Sequence, residues 1–158
     1  MKILLGFVAA LMVASVSSLH VKFIPCKGDT VESVSVEFID VSPCTEDPCA
    51  LSRGSTYEVS ASFNTGAAPV GIEGVETHLY GIIAGVKVPF PGFNQTDGCK
   101  NSGLTCPLGP KAPYTFAIPI FIDPKVTIDI SCVVELRLVD TGTGKDLICN
   151  ELQVKVVN

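Results

Sequence analysis

The stretch from residue 126 to residue 138 reads VTIDISCVVELRL. Every even-numbered position in it is apolar, whereas the odd-numbered positions include the charged residues Asp129, Glu135 and Arg137. Successive side chains of a β-strand point to opposite faces of the sheet, so this alternation predicts a strand with one face in an apolar interior. We expect 126–138 to be the longest strand of the protein.

The same alternation recurs on both sides of this strand. The segments that show it best are 57–63, 114–120 and 148–156. Residues 21–26 are compatible with a short first strand. In 34–41 the apolar positions change phase after Phe38, which predicts a β-bulge. A break at Ala84-Gly85 predicts a hairpin that ends near Pro89, because proline cannot donate to a central ladder.

No segment has the 3.6-residue period of an amphipathic helix. Residues 91–113 are rich in Gly and Pro and are expected to form a loop. About seven short strands separated by Gly/Pro turns predict an all-β protein, a sandwich of two antiparallel sheets in one domain.

Residues 1–18 have the organisation of a secretory signal peptide. Lys2 supplies a positive start, residues 3–13 are almost wholly apolar, and small residues follow up to Ser18. A membrane anchor is the alternative, but the apolar run is well short of the roughly 20 residues that a bilayer span requires. We predict cleavage after Ser18 and a mature domain over 19–158, either secreted or held in the endolysosomal lumen.

Composition excludes several classes of function. With 11 Lys+Arg and 16 Asp+Glu the net charge is −5, so the basic surface that nucleic-acid binding requires is missing. The only histidines are His20 and His78, and no nucleophile elbow, zinc-protease motif or phosphate loop accompanies them. Neither histidine completes a metal-ligand pattern with the cysteines. We therefore expect no enzymatic activity, cofactor, metal or nucleic-acid partner.

All seven cysteines follow residue 18 and would meet an oxidising compartment. Two pairs flank short, polar, turn-rich segments that close easily into loops. Cys132 shares the apolar parity of its strand, which predicts a buried free thiol. Cys149 has the opposite parity to its apolar neighbours and can meet Cys26 if the first and last strands lie close together. The predicted disulfides are Cys26–Cys149, Cys44–Cys49 and Cys99–Cys106.

Several motifs together resemble the ML (lipid-recognition) domain family. They are Ser-Pro-Cys at 42–44 with Pro-Cys at 48–49, Val-Pro-Phe-Pro at 88–91, Asp-Gly-Cys-Lys at 97–100 and Cys-Pro at 106–107. The resemblance runs from about Cys26 to the C-terminus and is greatest to the small luminal sterol carriers of that family. It implies an immunoglobulin-like β-sandwich with the same disulfide pattern.

The resemblance also implies a non-enzymatic carrier, of the cholesterol-transport type, that binds one sterol or other lipid in a hydrophobic cavity between its sheets. The lining residues carried over are Val59, Val86, Val88, Phe90, Ile120, Ile130, Val134 and Leu136. Phe90, between two prolines, is expected at the entrance. We expect a monomer that delivers its ligand to a membrane or to a membrane-protein acceptor.

The class of ligand stays open at this stage. The sterol carriers of the family typically have Trp at the positions of Leu136 and Asn150, and this chain has no Trp. Asn150 either places an amide beside the cavity or points to solvent. The alternatives are a fatty-acid or semiochemical carrier, or an immune lipid-recognition or interaction module with a filled core.

Asn94-Gln95-Thr96 fits the acceptor motif for N-glycosylation. It lies in the Gly/Pro-rich loop, so we predict a glycan on Asn94 of the secreted protein.

Overall fold

The computed structural model describes residues 18–27, 34–67, 71–126 and 129–158. These residues form β-strands and no helix, and hence contain no helix that could cross a membrane. The strands are β1 (Leu19–His20), β2 (Phe23–Pro25), β3 (Ser35–Ser42), β4 (Cys49–Ser52), β5 (Thr56–Asn64), β6 (Val75–Ile83), β7 (Val86–Pro89), β8 (Pro113–Phe121), β9 (Ile130–Asp140) and β10 (Asp146–Val157).

The strands form two sheets, which confirms the predicted all-β sandwich. One sheet has the order β1-β3-β5-β8. In the other, β9, β6 and β7 follow on one side of β10, while β2 and β4 share its other side. Every pair is antiparallel except β4 with β10, which is parallel.

The even-numbered residues of β9 face the other sheet, as their spacing predicts. Val134, Leu136 and Leu138 are all at most 3% exposed. Even-numbered residues of β10 and odd-numbered residues of β5 supply much of the remaining core. Burial of apolar surface contributes about 25 cal/mol per Å². The inward faces of the two sheets are therefore the main source of the protein's folding stability.

Two bends in the chain are confirmed. The register of β3 against β5 shifts between Val36 and Phe38, which confirms a bulge in this strand but places it just before the predicted change of phase after Phe38. The β6–β7 hairpin turns at Ala84 and Gly85, both with positive φ (49° and 81°). Two such residues produce the backbone twist that matches a two-residue hairpin.

One expectation about strands was wrong, and two short strands were not predicted. The strand predicted over 126–138 begins at Ile130, because 123–126 form a turn in which Val126 N donates to Asp123 O (3.1 Å). The longest strand is therefore β10. Within 21–26 the strand is Phe23–Pro25, β2 of the larger sheet, and a separate strand, β1 at Leu19–His20, precedes it in the other sheet. Strand β4 was not predicted, because four residues are too few to show a period.

The structure contains the disulfides Cys26–Cys149, Cys44–Cys49 and Cys99–Cys106, and Cys132 is a free thiol. Residues 1–17 lie outside the described residues, so the signal peptide and its cleavage after Ser18 stay predictions.

Candidate functional site

Two small apolar cavities lie between the sheets. The inner one, of about 10 Å³, is enclosed by side chains of both sheets. The outer one, of about 80 Å³, extends towards the β6–β7 hairpin. Phe90 and Ile122 line both. The cavities are therefore neighbours separated by two side chains, and a movement of the Phe90 ring would join them.

Six of the eight residues expected to line the ligand site lie on these cavities. Val59, Ile120 and Val134 line the inner cavity, Val88 and Ile130 line the outer one, and Phe90 lines both. Phe90 is half-buried and lies between the two spaces, rather than only at an entrance.

The other two expected lining residues, Val86 and Leu136, contact neither cavity. Val86 directly follows the hairpin turn and is 62% exposed, because β7 is an edge strand whose first residue projects beyond the sandwich. Leu136 is fully buried in the packed core, where it pairs with Leu79 and Asn150. Its parity was predicted correctly, but it lies beyond the cavities along β9.

Sequence reasoning missed other lining residues. Those of the inner cavity are Val41, Leu51, Tyr57, Ile122, Leu152 and Val154. Those of the outer cavity are Gly81, Ile83, Pro91, Ile122, Asp123, Val126, Cys132 and Val156. Most share the inward parity of their strands, so alternation identifies them as interior residues but does not distinguish cavity wall from filled core.

Along one long side of the sandwich, hydrogen bonds and the chain itself connect the two sheets. The chain passes from β1 to β2 there, and Val21 N donates to Ile39 O (2.9 Å). The Tyr57 hydroxyl, on β5, accepts a hydrogen bond from Ser52 N (2.8 Å) and donates to Ala50 O (3.3 Å), both on β4. Since β4 belongs to the other sheet, this tyrosine links the two sheets at the inner cavity.

The opposite side, between β7 and β8, is closed only at one end. There the Cys99–Cys106 loop bridges the sheets: Gly98 N donates to Val75 O on β6 (2.8 Å), and Ala117 N on β8 donates to Ser102 O (2.8 Å). Towards the hairpin, among the residues that the structure describes, β7 pairs with β6 alone and β8 with β5 alone. Separating the sheets at that end would break none of the described strand pairings, and we refer to this end as the mouth.

Exposed apolar side chains occur around this mouth. Ile83 and Val88, which line the outer cavity, are 40% and 37% exposed, and Val86, which pairs with Ile83, is 62% exposed. We call this set the apolar rim. Exposed apolar groups that cluster beside a cavity are typical of a surface that contacts another molecule.

Cys132 and Asn150 are the unusual interior residues of the large sheet. Cys132 is half-buried on the outer cavity, and burial raises the pKa of its thiol. Asn150 is 3% exposed and shares the inward parity of Leu152, so it does not point into solvent, although it lines neither cavity.

A larger groove, of about 530 Å³, lies on the outer face of the β9–β10 sheet, and four of the charged side chains that line it form ion pairs. Lys87 Nζ lies 2.7 Å from Glu135 Oε2, and Arg137 Nη2 lies 2.8 Å from Asp146 Oδ2. Ligand atoms of Glu135, Cys26 and Cys149 lie within 4.8 Å of one another, yet both sulfurs belong to the disulfide. Because these ion pairs line the groove, it is less suited to an apolar ligand than the cavities between the sheets.

The histidines lie away from the cavities. His20 contacts the Asp40 carboxylate and the Phe38 ring. His78 Nε2 lies 3.6 Å from Glu76 Oε1, and its ring stacks on Tyr80. Neither is placed to transfer a proton to a molecule between the sheets.

Comparison with known proteins gives consistent matches along the chain. A family model described as the ML domain matches residues 20–156. A protein of Danio rerio named NPC intracellular cholesterol transporter 2 is 35% identical over 154 residues, 98% of this chain and 97% of its own. The protein of that name from Mus musculus is 31% identical over 156 residues, 99% and 95% of the two chains. The crystal structure of a Niemann-Pick type C2 protein from the Japanese carpenter ant superposes with a TM-score of 0.72 at 26% identity, covering 86% of this chain and 99% of the ant chain.

Proposed function

The chain belongs to the ML-domain family, and we propose from this premise that it is a non-enzymatic carrier that holds one sterol or similar lipid between its two sheets. The observation that carries the proposal is the pair of adjacent apolar cavities separated by Phe90 and Ile122, with the apolar rim at their open end. The relatives from Danio rerio and Mus musculus are named as cholesterol transporters, which supports a sterol as the first ligand to test.

Ligand entry requires the sheets to separate. Sites for drug-sized molecules usually occupy about 300–1,000 Å³, whereas the two cavities have volumes of about 10 and 80 Å³. The described conformation is thus the closed form of the carrier. Opening at the β7–β8 end leaves the strand ladders intact, while the Tyr57 link and the Cys99–Cys106 loop hold the other side and the far end.

Binding is driven by the removal of apolar surface from water. Each 100 Å² of apolar ligand surface buried contributes about 2.5 kcal/mol. The side chains of the walls are apolar except for Tyr57 on the inner cavity and Asp123 and Cys132 on the outer one. A ligand with one polar end would therefore place that end at the mouth, where water and Asp123 are accessible.

The apolar rim is the surface that we expect to meet a donor or acceptor, either a membrane or a membrane protein. A lipid leaving the mouth would pass directly onto that surface without exposing its whole length to water. Entry into the secretory pathway would follow from the predicted signal peptide, with the mature chain secreted or kept in the endolysosomal lumen. The three disulfides support an oxidising compartment.

The narrowness of the closed cavities favours a second candidate ligand, a flexible fatty acid or semiochemical, which needs less separation of the sheets than a rigid ring system. The test is to purify the chain from a eukaryotic secretory host, measure its bound mass by native mass spectrometry, and extract the ligand. The delipidated protein is then titrated with a fluorescent sterol in the presence and absence of fatty acids.

We expect saturable sterol binding with one molecule per chain. If a fatty acid binds and sterol cannot displace it, the protein is still a lipid carrier, but its ligand is a fatty acid and not a sterol. A protein that binds neither class would favour the interaction module with a filled core.

A further inference from the structure

We propose that Asn94 carries an N-linked glycan whose attachment point lies towards the bridged end of the sandwich and leaves the apolar rim uncovered. Asn94 is the single asparagine of the chain that is followed two positions later by Ser or Thr. Its motif, Asn94-Gln95-Thr96, has no proline at the middle position, as the acceptor motif requires.

The local structure suits a permanently attached glycan. Asn94 and Thr96 are exposed, and no strand includes them. The backbone around them is fixed by other groups: Thr77 N donates to Thr96 O (2.7 Å), and Gln95 Nε2 donates to Lys100 O (2.6 Å). A sugar on the Asn94 side chain would therefore extend into solvent without displacing a packed group.

The path of the loop gives the position of the attachment point. Phe90 N donates to Leu79 O, Thr77 N to Thr96 O, and Gly98 N to Val75 O. Segment 90–98 thus runs along the edge of β6, away from the hairpin. Asn94 lies in the loop between the contacts of Phe90 and Thr96, whereas Val88 and Val86 of the rim pair with Gly81 and Ile83 of β6. At about 3.3 Å per residue, the contact at Leu79 lies about 7 Å along β6 from the level of Val88 and about 13 Å from that of Val86.

The modification forms one bond and breaks one. The amide nitrogen of Asn94 bonds to the anomeric carbon of an oligosaccharide supplied on a lipid diphosphate by the host's transferase. The bond between the sugar and the phosphate breaks, the lipid diphosphate leaves, and the amide loses one proton. Entry of the chain into the secretory pathway is the condition for this step.

The test is expression of the full chain in a eukaryotic secretory host, with peptide mass spectrometry before and after treatment with a glycan-removing amidase. We expect one glycan on the wild type, conversion of Asn94 to aspartate by the amidase, and no glycan on Thr96→Val, which keeps Asn94. Thr96→Ser preserves the motif and should keep the glycan. A secreted wild type of unglycosylated mass would overturn the assignment.

The second measurement concerns position. Glycosylated wild type and Thr96→Val should bind a fluorescent sterol, and transfer it to phosphatidylcholine vesicles, at rates that agree within twofold. A glycan that slows transfer severalfold would show that it reaches the rim, and would overturn that part of the proposal. Because glycosylation is read from mass alone, it can succeed even if no lipid binds, so the two proposals fail separately.

Discussion

Replacing Gly81 by valine should stabilise the protein and weaken ligand binding at the same time. Gly81 is a buried residue within β6 and lines the outer cavity. A Cβ built there would lie 3.9 Å from Val88 Cγ2, an ordinary contact, and the outer cavity offers the space for further methyl groups. Filling roughly half of the cavity of about 80 Å³, at about 24 cal/mol per Å³, contributes about 1 kcal/mol. Removing a glycine from a strand interior adds roughly 0.5–1 kcal/mol.

The gain in folding stability applies to the closed, ligand-free form. A bound ligand would have to occupy the volume that the valine side chain fills. The sterol affinity of Gly81→Val should therefore fall by at least about tenfold, which corresponds to about 1.4 kcal/mol. Urea unfolding of the ligand-free protein gives the stability, and titration with a fluorescent sterol gives the affinity. Ser131→Val, at an exposed position on the outer face of β9, adds a similar apolar group outside the cavities and serves as the control.

A Gly81→Val protein that is more stable and binds sterol as tightly as the wild type would refute a ligand site between the sheets. Should the valine destabilise the fold, Gly81→Ala provides a smaller step in the same direction. An alanine variant that is also less stable would show that the outer cavity is not free space.

Four other predictions follow from single side chains. Phe90→Ala should weaken sterol binding by about 1–3 kcal/mol through lost ring contacts, whereas Phe93→Ala, which removes a half-buried ring that lines neither cavity, should leave the affinity unchanged in the same titration. Thr65→Val should cost about 1–3 kcal/mol in urea unfolding, because its hydroxyl bonds backbone groups. Thr77→Val should be neutral or stabilising, because within the described chain the Thr77 hydroxyl is buried without a partner; a loss as large as that at Thr65 would contradict this. Cys132 should react slowly with a thiol reagent, because burial raises its pKa, and more slowly with sterol bound; unchanged labelling in the complex would place the ligand elsewhere.

Alternation predicted most of the fold because burial acts on each strand locally. The inward faces of β5, β9 and β10 follow from which positions are apolar, and the bulge in β3 follows from a change of phase. Strand β4 could not be predicted, since it exists through its parallel pairing with the distant β10. The two-residue strand β1 likewise exists through its pairing with the distant β3.

The sequence predicts which face of each strand points into the interior. It does not predict which residues along that face line a cavity. Leu136 and Val134 have the same parity and similar size, yet only Val134 lines a cavity. The difference arises from how completely the opposite sheet fills the space at each level, which no single strand encodes. The prediction for Val86 was wrong for another reason. An edge strand with alternating apolar residues can extend beyond the buried interior, and Val86 is exposed there.

The bridge that the Cys99–Cys106 loop makes between β6 and β8 has a kinetic consequence. With one end closed, cargo cannot pass through the molecule and must leave by the route through which it arrived. The same surface must then meet the source and the destination in turn, so the two compete for it. Delivery should rise with acceptor concentration only until acceptor begins to occupy unloaded protein, and should decline beyond that point.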